Sequence, residues 1–285
     1  MRQQGAPIAR PVVRVGRIAT LYIGLAISWF TLMATLGPEG IIGTRILHAY
    51  GIGAVLCVLN LVGFGVLLLV TMALRRAGIL RALQALGMRP WSGRAVAASL
   101  LAIGAAVVLL YTLGYREQNR SVMILLPFDV LGPLVEEAIF RGFLFLQLRR
   151  WAGLPFWSAA VLASVPFAME HIYQGVTTAV LLEVLTVTFL GGIIFCWLVE
   201  RWGNIWSSWT LHSGLNLLFS LFPLGANASE NLVGNIERLT AIACAIAATW
   251  LMTRHRAADP ETMAPPAVPD PTETTDYTRT RDQRT

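Results

Sequence analysis

Glu136 and Glu137 stand side by side in an otherwise apolar run, Pro133-Leu134-Val135-Glu136-Glu137-Ala138-Ile139-Phe140-Arg141-Gly142. On a helix turning about 100° per residue, Glu137 and Arg141 share a face, while Glu136 points a quarter-turn away. The spacing therefore pairs Glu137 with Arg141 and leaves Glu136 facing something else. A second apolar run ends Pro166-Phe167-Ala168-Met169-Glu170-His171, and a third holds Thr210-Leu211-His212-Ser213-Gly214-Leu215-Asn216, with His212 and Asn216 four apart on one face. A carboxylate and an imidazole can together deprotonate a water. A second imidazole and an amide N–H can donate to the oxyanion that forms when that water attacks a carbonyl. Glu136, His171, His212 and Asn216 are thus the parts of a peptide-hydrolysing site. Glu170 is a minor further candidate. No G-x-S-x-G elbow accompanies the histidines, so a serine nucleophile has no comparable frame.

Each part alone also has a packing reading: a buried ion pair beside a protonated acid, or a histidine and an asparagine hydrogen-bonding between helices. The set on three separate apolar runs shifts the balance toward chemistry. Ionisable groups inside a membrane helix cost at least ~2.5–3.5 kcal/mol, and each demands a partner or a function. Glu183, near the start of the sixth run, reads as interfacial.

The elements that must position these groups are membrane helices. Apolar residues make up 55% of the 285 positions, charged residues 13%, and the mean hydropathy is +0.62. Soluble domains carry about 25% charged residues. Runs long enough to cross a bilayer core fall at about 18–36, 49–74, 95–114, 124–148, 154–172, 184–200, 204–222 and 235–252. The expected fold is an all-α membrane protein, a bundle of about eight transmembrane helices with an intramembrane polar site. Ile79, Leu80, Leu83 and Leu86 recur at helical spacing among arginines, predicting an amphipathic helix on the membrane surface over residues 75–94. Beyond Arg254 the chain turns to Pro, Thr and charge and predicts a disordered tail. The expected divisions are 1–123 for N-terminal helices with the amphipathic segment, 124–222 for the catalytic helices, 223–253 for the last helix, and 254–285 for a cytoplasmic tail.

All 22 basic residues are arginine, and the net charge is +6. The arginines collect at the ends of apolar runs, which argues for membrane topology and against nucleic acid. With the N-terminus inside, Arg2, Arg10, Arg14, Arg17, Arg75, Arg76, Arg81, Arg89, Arg94, Arg149, Arg150, Arg201, Arg254 and Arg256 fall inside. Only Arg45, Arg116 and Arg120 fall outside, a strong positive-inside bias. Both termini are expected in the cytoplasm, with the chain multi-pass in the plasma (inner) membrane. The first run lacks a small-residue cleavage site and reads as a spanning helix. Cys57, Cys196 and Cys244 lie inside apolar runs and imply no disulfide framework. No internal repeat of the kind common in secondary transporters is present.

At these residues the sequence resembles the CAAX protease and bacteriocin-processing family of intramembrane endopeptidases, also called type II CAAX prenyl endopeptidase-like or Abi proteins. Glu136-Glu137-x-x-x-Arg141 with Gly142 matches its first motif, Phe167-x-x-x-His171 its second, and His212-x-x-x-Asn216 its third. Gly191-Gly192 and Gly203-Asn204-Ile205-Trp206 fit the connecting pattern, and the resemblance covers roughly residues 124–222. It implies that Glu136 and His171 activate water, that His212 and Asn216 hold the oxyanion, and that Glu137 and Arg141 support the site. It implies a membrane-associated protein or peptide as substrate, the lipid bilayer as surroundings, and no cofactor. It supplies no substrate identity, because the family spans several substrates.

Two other readings use the same residues. Glu136, His171 and His212 are chemically adequate as zinc ligands, although no H-E-x-x-H pair sits on one helix. A non-catalytic immunity factor or scaffold would keep the groups for packing. Convergence itself sets a requirement: at 1.5 Å per residue from the cytoplasmic ends, Glu136 lies ~20 Å deep, His171 ~28 Å and His212 ~14 Å. Tilted or broken helices are needed to bring them to one water.

Overall fold

The computed structural model describes residues 11–36, 41–224 and 232–254, and every regular element among them is helical. In chain order these are α1 (Pro11–Leu36), α2 (Ile41–Tyr50), α3 (Ile52–Arg75), α4 (Ile79–Ala85) and α5 (Gly93–Thr112). Helical turns then run without a break through Val122–Leu125, a π-helical Leu126–Leu131, Gly132–Glu136, a π-helical Glu137–Phe145 and Leu146–Arg150; together these are α6. There follow α7 (Phe156–Met169), a 3₁₀ turn at Ile172–Gln174, α8 (Thr178–Trp202), α9 (Trp206–Leu221) and α10 (Leu232–Thr253). The proposed disordered tail lies outside the described residues.

In lipid, helices gain little from burying apolar surface against one another, so small residues that admit close backbone approach decide the interfaces. α5 shows this directly. Ala95, Ala98, Ser99, Ala102 and Ala106 line its buried face, while the larger Leu100, Leu101 and Val108 point outward. Ser99 donates to the Ser207 carbonyl at 2.8 Å, a hydrogen bond that joins α5 to α9. The bulkier core surrounds α6, where Phe143, Leu144, Phe145, Leu146 and Leu148 are all essentially inaccessible.

Four described helices are each long and apolar enough to cross a membrane: α3, α5, α8 and α10. The expected eight spans are therefore matched only in part. α7 has 14 residues and α9 has 16, short of the ~20 a straight crossing needs. α8 begins at Thr178, earlier than expected, which puts Glu183 in its second turn. Pro166 lies inside α7, the helix stops at Met169, and the chain turns through Glu170 and His171. α8 starts on Thr177, whose hydroxyl accepts from the Val180 N–H, and it ends at Gly203 with φ 70°, a left-handed residue that closes a helix without strain. Asn204 then accepts from the Trp206 N–H and sets off α9, which fixes His212 two turns later.

The segment around α4 differs from the expected surface helix. It is seven residues long, with Ala82, Ala85 and Leu86 buried and Ile79 and Leu80 exposed. The Gln147 side chain donates to the Ala85 carbonyl at 2.9 Å, and the Ile205 N–H donates to the Gly87 carbonyl. The stretch is docked onto the end of the bundle because its backbone carbonyls find donors there.

Charged residues at one end tie the helices together. Arg17 donates to the Trp151 carbonyl and lies over its ring, Arg149 grips Glu200 through two nitrogens, and Arg201 donates to Thr253. At the other end Gln118 N–H meets the Leu221 carbonyl, and Tyr111 stacks edge-on against Phe222. The arginine-rich segments expected on one side of the membrane thus meet at one end of the bundle.

Candidate active site

The two adjacent acids part company at the junction between α and π turns of α6. Glu137 is fully buried and lies 3.2 Å from the Arg141 guanidinium, the pair expected from their spacing. Glu136 keeps 32% of its side-chain surface accessible and lines a cavity of about 430 Å³. His171, His212 and Asn216 line the same cavity. Groups whose depths along ideal helices disagree are brought together because α6 is wound with π turns on both sides of Glu136 and α7 ends before His171. Single π turns recur at functional sites because they re-aim side chains within a helix. Here they leave carbonyls for outside donors, and the Trp209 indole binds the Val130 carbonyl while Asn60 binds that of Pro127.

Hydrogen-bond partners distinguish the two histidines. His171 Nδ1 lies 2.9 Å from the Phe167 carbonyl, which only accepts. Nδ1 therefore carries the proton, and Nε2 of the neutral ring keeps its lone pair. His212 Nδ1 lies 3.0 Å from Glu137 Oε1, and its Nε2 lies 3.8 Å from Glu136 Oε2. A carboxylate paired with a guanidinium accepts, so His212 Nδ1 also carries a proton. His212 is thus flanked by two acids, whereas His171 leans on a neutral carbonyl.

Arg141 is held in an unexpected way. Its guanidinium carbon lies 4.1 Å from the centre of the Phe167 ring and 4.9 Å from that of Phe195, so the cation rests between two aromatic faces. Its nitrogens make no hydrogen bond among the described residues. Ring faces of this kind compensate a desolvated cation by about 2 kcal/mol. Phe195 also stacks on His212, with centroids 5.2 Å apart. Sequence reasoning missed Phe195, and nothing in its apolar surroundings marks it.

Two other omissions carried a readable signal. Asp129 is 4% exposed, lines the cavity and accepts from Ser220 Oγ at 3.0 Å. Arg238 lines the cavity from α10. Both are ionisable residues inside apolar runs, the criterion that picked out Glu136. Glu170 is not among the cavity-lining residues. Among the described residues no three His, Cys, Asp or Glu side chains gather as a metal-ligand set.

Residues 118–218 match the family model for Rce1-like type II CAAX prenyl endopeptidases, a stretch that contains all three motifs. Over this stretch the chain is similar to Rce1-like CAAX proteases. No curated protein matches the chain, and neither does any solved structure. The matched stretch thus runs from α6 to most of α9. α10, which closes the cavity with Arg238 and Ile242, lies beyond it. Its apolar spanning helices, together with this match, make the protein a multi-pass integral membrane protein.

Proposed function

We propose that this protein is a glutamic-type intramembrane endopeptidase that cleaves a membrane-associated protein or peptide with a water activated by Glu136 and His171. One observation carries the reading. A single cavity of about 430 Å³ is lined by Glu136, His171, His212 and Asn216, drawn from α6, the turn after α7, and α9. The water oxygen attacks the scissile carbonyl carbon as Glu136, aided by the free Nε2 of His171, takes its proton. The oxyanion receives hydrogen bonds from His212 Nε2 and the Asn216 amide. The proton then passes to the departing amine nitrogen as the C–N bond breaks.

The partners of His212 support its donor role. With Nδ1–H held by Glu137, Nε2 donates only when the ring is an imidazolium. Nε2 lies 3.8 Å from Glu136 Oε2 and Nδ1 3.0 Å from Glu137 Oε1, so the ring is held between the two acids. Glu137 and Arg141 act in this reading by holding His212 and the helix turn in place.

The proposed topology keeps eight crossings, with the shorter α7 and α9 and the π-wound α6 counted among them, and both termini in the cytoplasm. The arginine distribution supports it, as does the meeting of Arg17, Arg149 and Arg201 segments at one end. The plasma (inner) membrane is the proposed location.

The test is cleavage of a quenched fluorogenic, S-farnesylated CAAX peptide by the full-length protein reconstituted in liposomes. Turnover by the wild type and none by Glu136→Gln is the expected result. Equal turnover by the two would overturn the assignment of Glu136.

A further inference from the structure

α10 places a cation in the cavity that the hydrolytic scheme does not use. Arg238 lines the cavity with its guanidinium carbon 4.7 Å over the Phe219 ring. Phe219 is one helical turn beyond Asn216 on the same face of α9, a rise of ~4.5 Å. Arg238 therefore stands about one turn from the amide end of the proposed oxyanion site, toward the end of α9 that contacts Gln118. No carboxylate among the described residues pairs with it. Glu237, its neighbour in sequence, is fully buried and does not line the cavity. Glu237, and more weakly Glu183 on α8, act on it electrostatically, yet neither forms an ion pair with it among the described residues. Asp129, the acid lining the cavity besides Glu136, is bonded to Ser220. A half-buried guanidinium resting on one ring face keeps most of its donors available, and the planar fork of arginine suits a carboxylate through two parallel hydrogen bonds.

We infer that Arg238 is a substrate-positioning residue that binds a carboxylate of the peptide close to the scissile bond. This rests on the proposed protease reading for what the carboxylate belongs to. Arg238 and Asn216 line the same cavity, so a peptide whose carbonyl is held at Asn216 lies beside the guanidinium. The carboxylate comes either from a free C-terminus or from an acidic side chain. α10 lies outside the residues that match the family, so the assignment stems from this cavity alone.

Binding and turnover are measured separately. Dansyl-labelled, S-farnesylated CAAX peptides are prepared with a free C-terminus, with a C-terminal amide, and as the amide bearing Asp at the last position. Their affinity for full-length Glu136→Gln protein in nanodiscs is read by fluorescence anisotropy, with and without Arg238→Gln or Arg238→Lys. Thermal melting checks that each variant is folded. The free acid should bind at least about tenfold more tightly than the amide, as expected for a charge-assisted bidentate pair. Arg238→Gln should erase that preference and Arg238→Lys should keep part of it. A side-chain source shows instead as a preference for the Asp-bearing amide, lost in the same variant. Equal affinity for all three peptides, or a preference that survives Arg238→Gln, overturns the inference. An intact preference in a wild-type protein that cleaves none of the peptides would sink the protease reading and leave the carboxylate site standing.

Discussion

Two chemically identical acids, adjacent in the chain, have different surroundings, and substitution should separate them. Glu136→Gln is expected to abolish cleavage while the protein still folds, because its side chain faces the cavity. Glu137→Gln removes the partner of both Arg141 and His212. Breaking one member of a buried pair costs about 3–5 kcal/mol, so this variant should lose folded yield and melt well below the wild type. Equal melting temperatures for the two variants would contradict the division of roles. Asn216→Ala should lower kcat by roughly 10²–10³ with little change in KM, the effect of removing one oxyanion donor. Turnover that survives phenanthroline is the outcome expected of acid–base chemistry by Glu136 and His171. Loss restored by added zinc would favour the metal reading of Glu136, His171 and His212.

At the scale of elements, glycines mark where helices must touch. A Cβ on Gly142 would run into the Leu86 carbonyl oxygen, and one on Gly192 would meet Ser164 Oγ at 2.8 Å. Backbone at Leu86 has little room to yield, whereas the Ser164 hydroxyl can rotate. Gly142→Ala should therefore destabilise by about 1–3 kcal/mol, as overpacking does, and more than Gly192→Ala. The comparison is read from thermal melting in detergent. The same scale shows what the sequence conveyed and what it hid. The pairing of Glu137 with Arg141, and the turning of Glu136 away from that pair, followed from helical spacing alone. The π turns did not, because no residue type marks them, and they depend on donors such as Asn60 and Trp209 arriving from other helices. Helix ends at Met169 and Thr178 were misplaced because hydropathy runs straight through Glu170 and His171 without revealing a turn. Asp129 and Arg238 were visible as charges in apolar runs and were absorbed into spans, since each lacked a motif to draw the eye.

For the whole molecule, orientation can be tested directly. Tyr173 is 81% exposed at the rim of the cavity, in the turn between α7 and α8, while Gly78 lies in the turn after α3 that carries Arg75 and Arg76. A Cβ at Gly78 meets nothing within 4 Å. With the arginine-rich end in the cytoplasm, Tyr173→Cys should react in intact cells with a membrane-impermeant maleimide, and Gly78→Cys should react only after lysis. The reverse pattern would invert the proposed topology.

The cavity's volume has a consequence for what can be digested. Some 430 Å³ is the size of a small-molecule pocket. For the proposed protease, a cavity of that volume suits one extended strand better than a folded domain or a hairpin. A single slack strand, entering by its end or from a stretch already unravelled, is then what reaches Glu136. Selection by looseness would then precede selection by sequence, and a well-structured neighbour in the same bilayer would be spared without any signal to protect it.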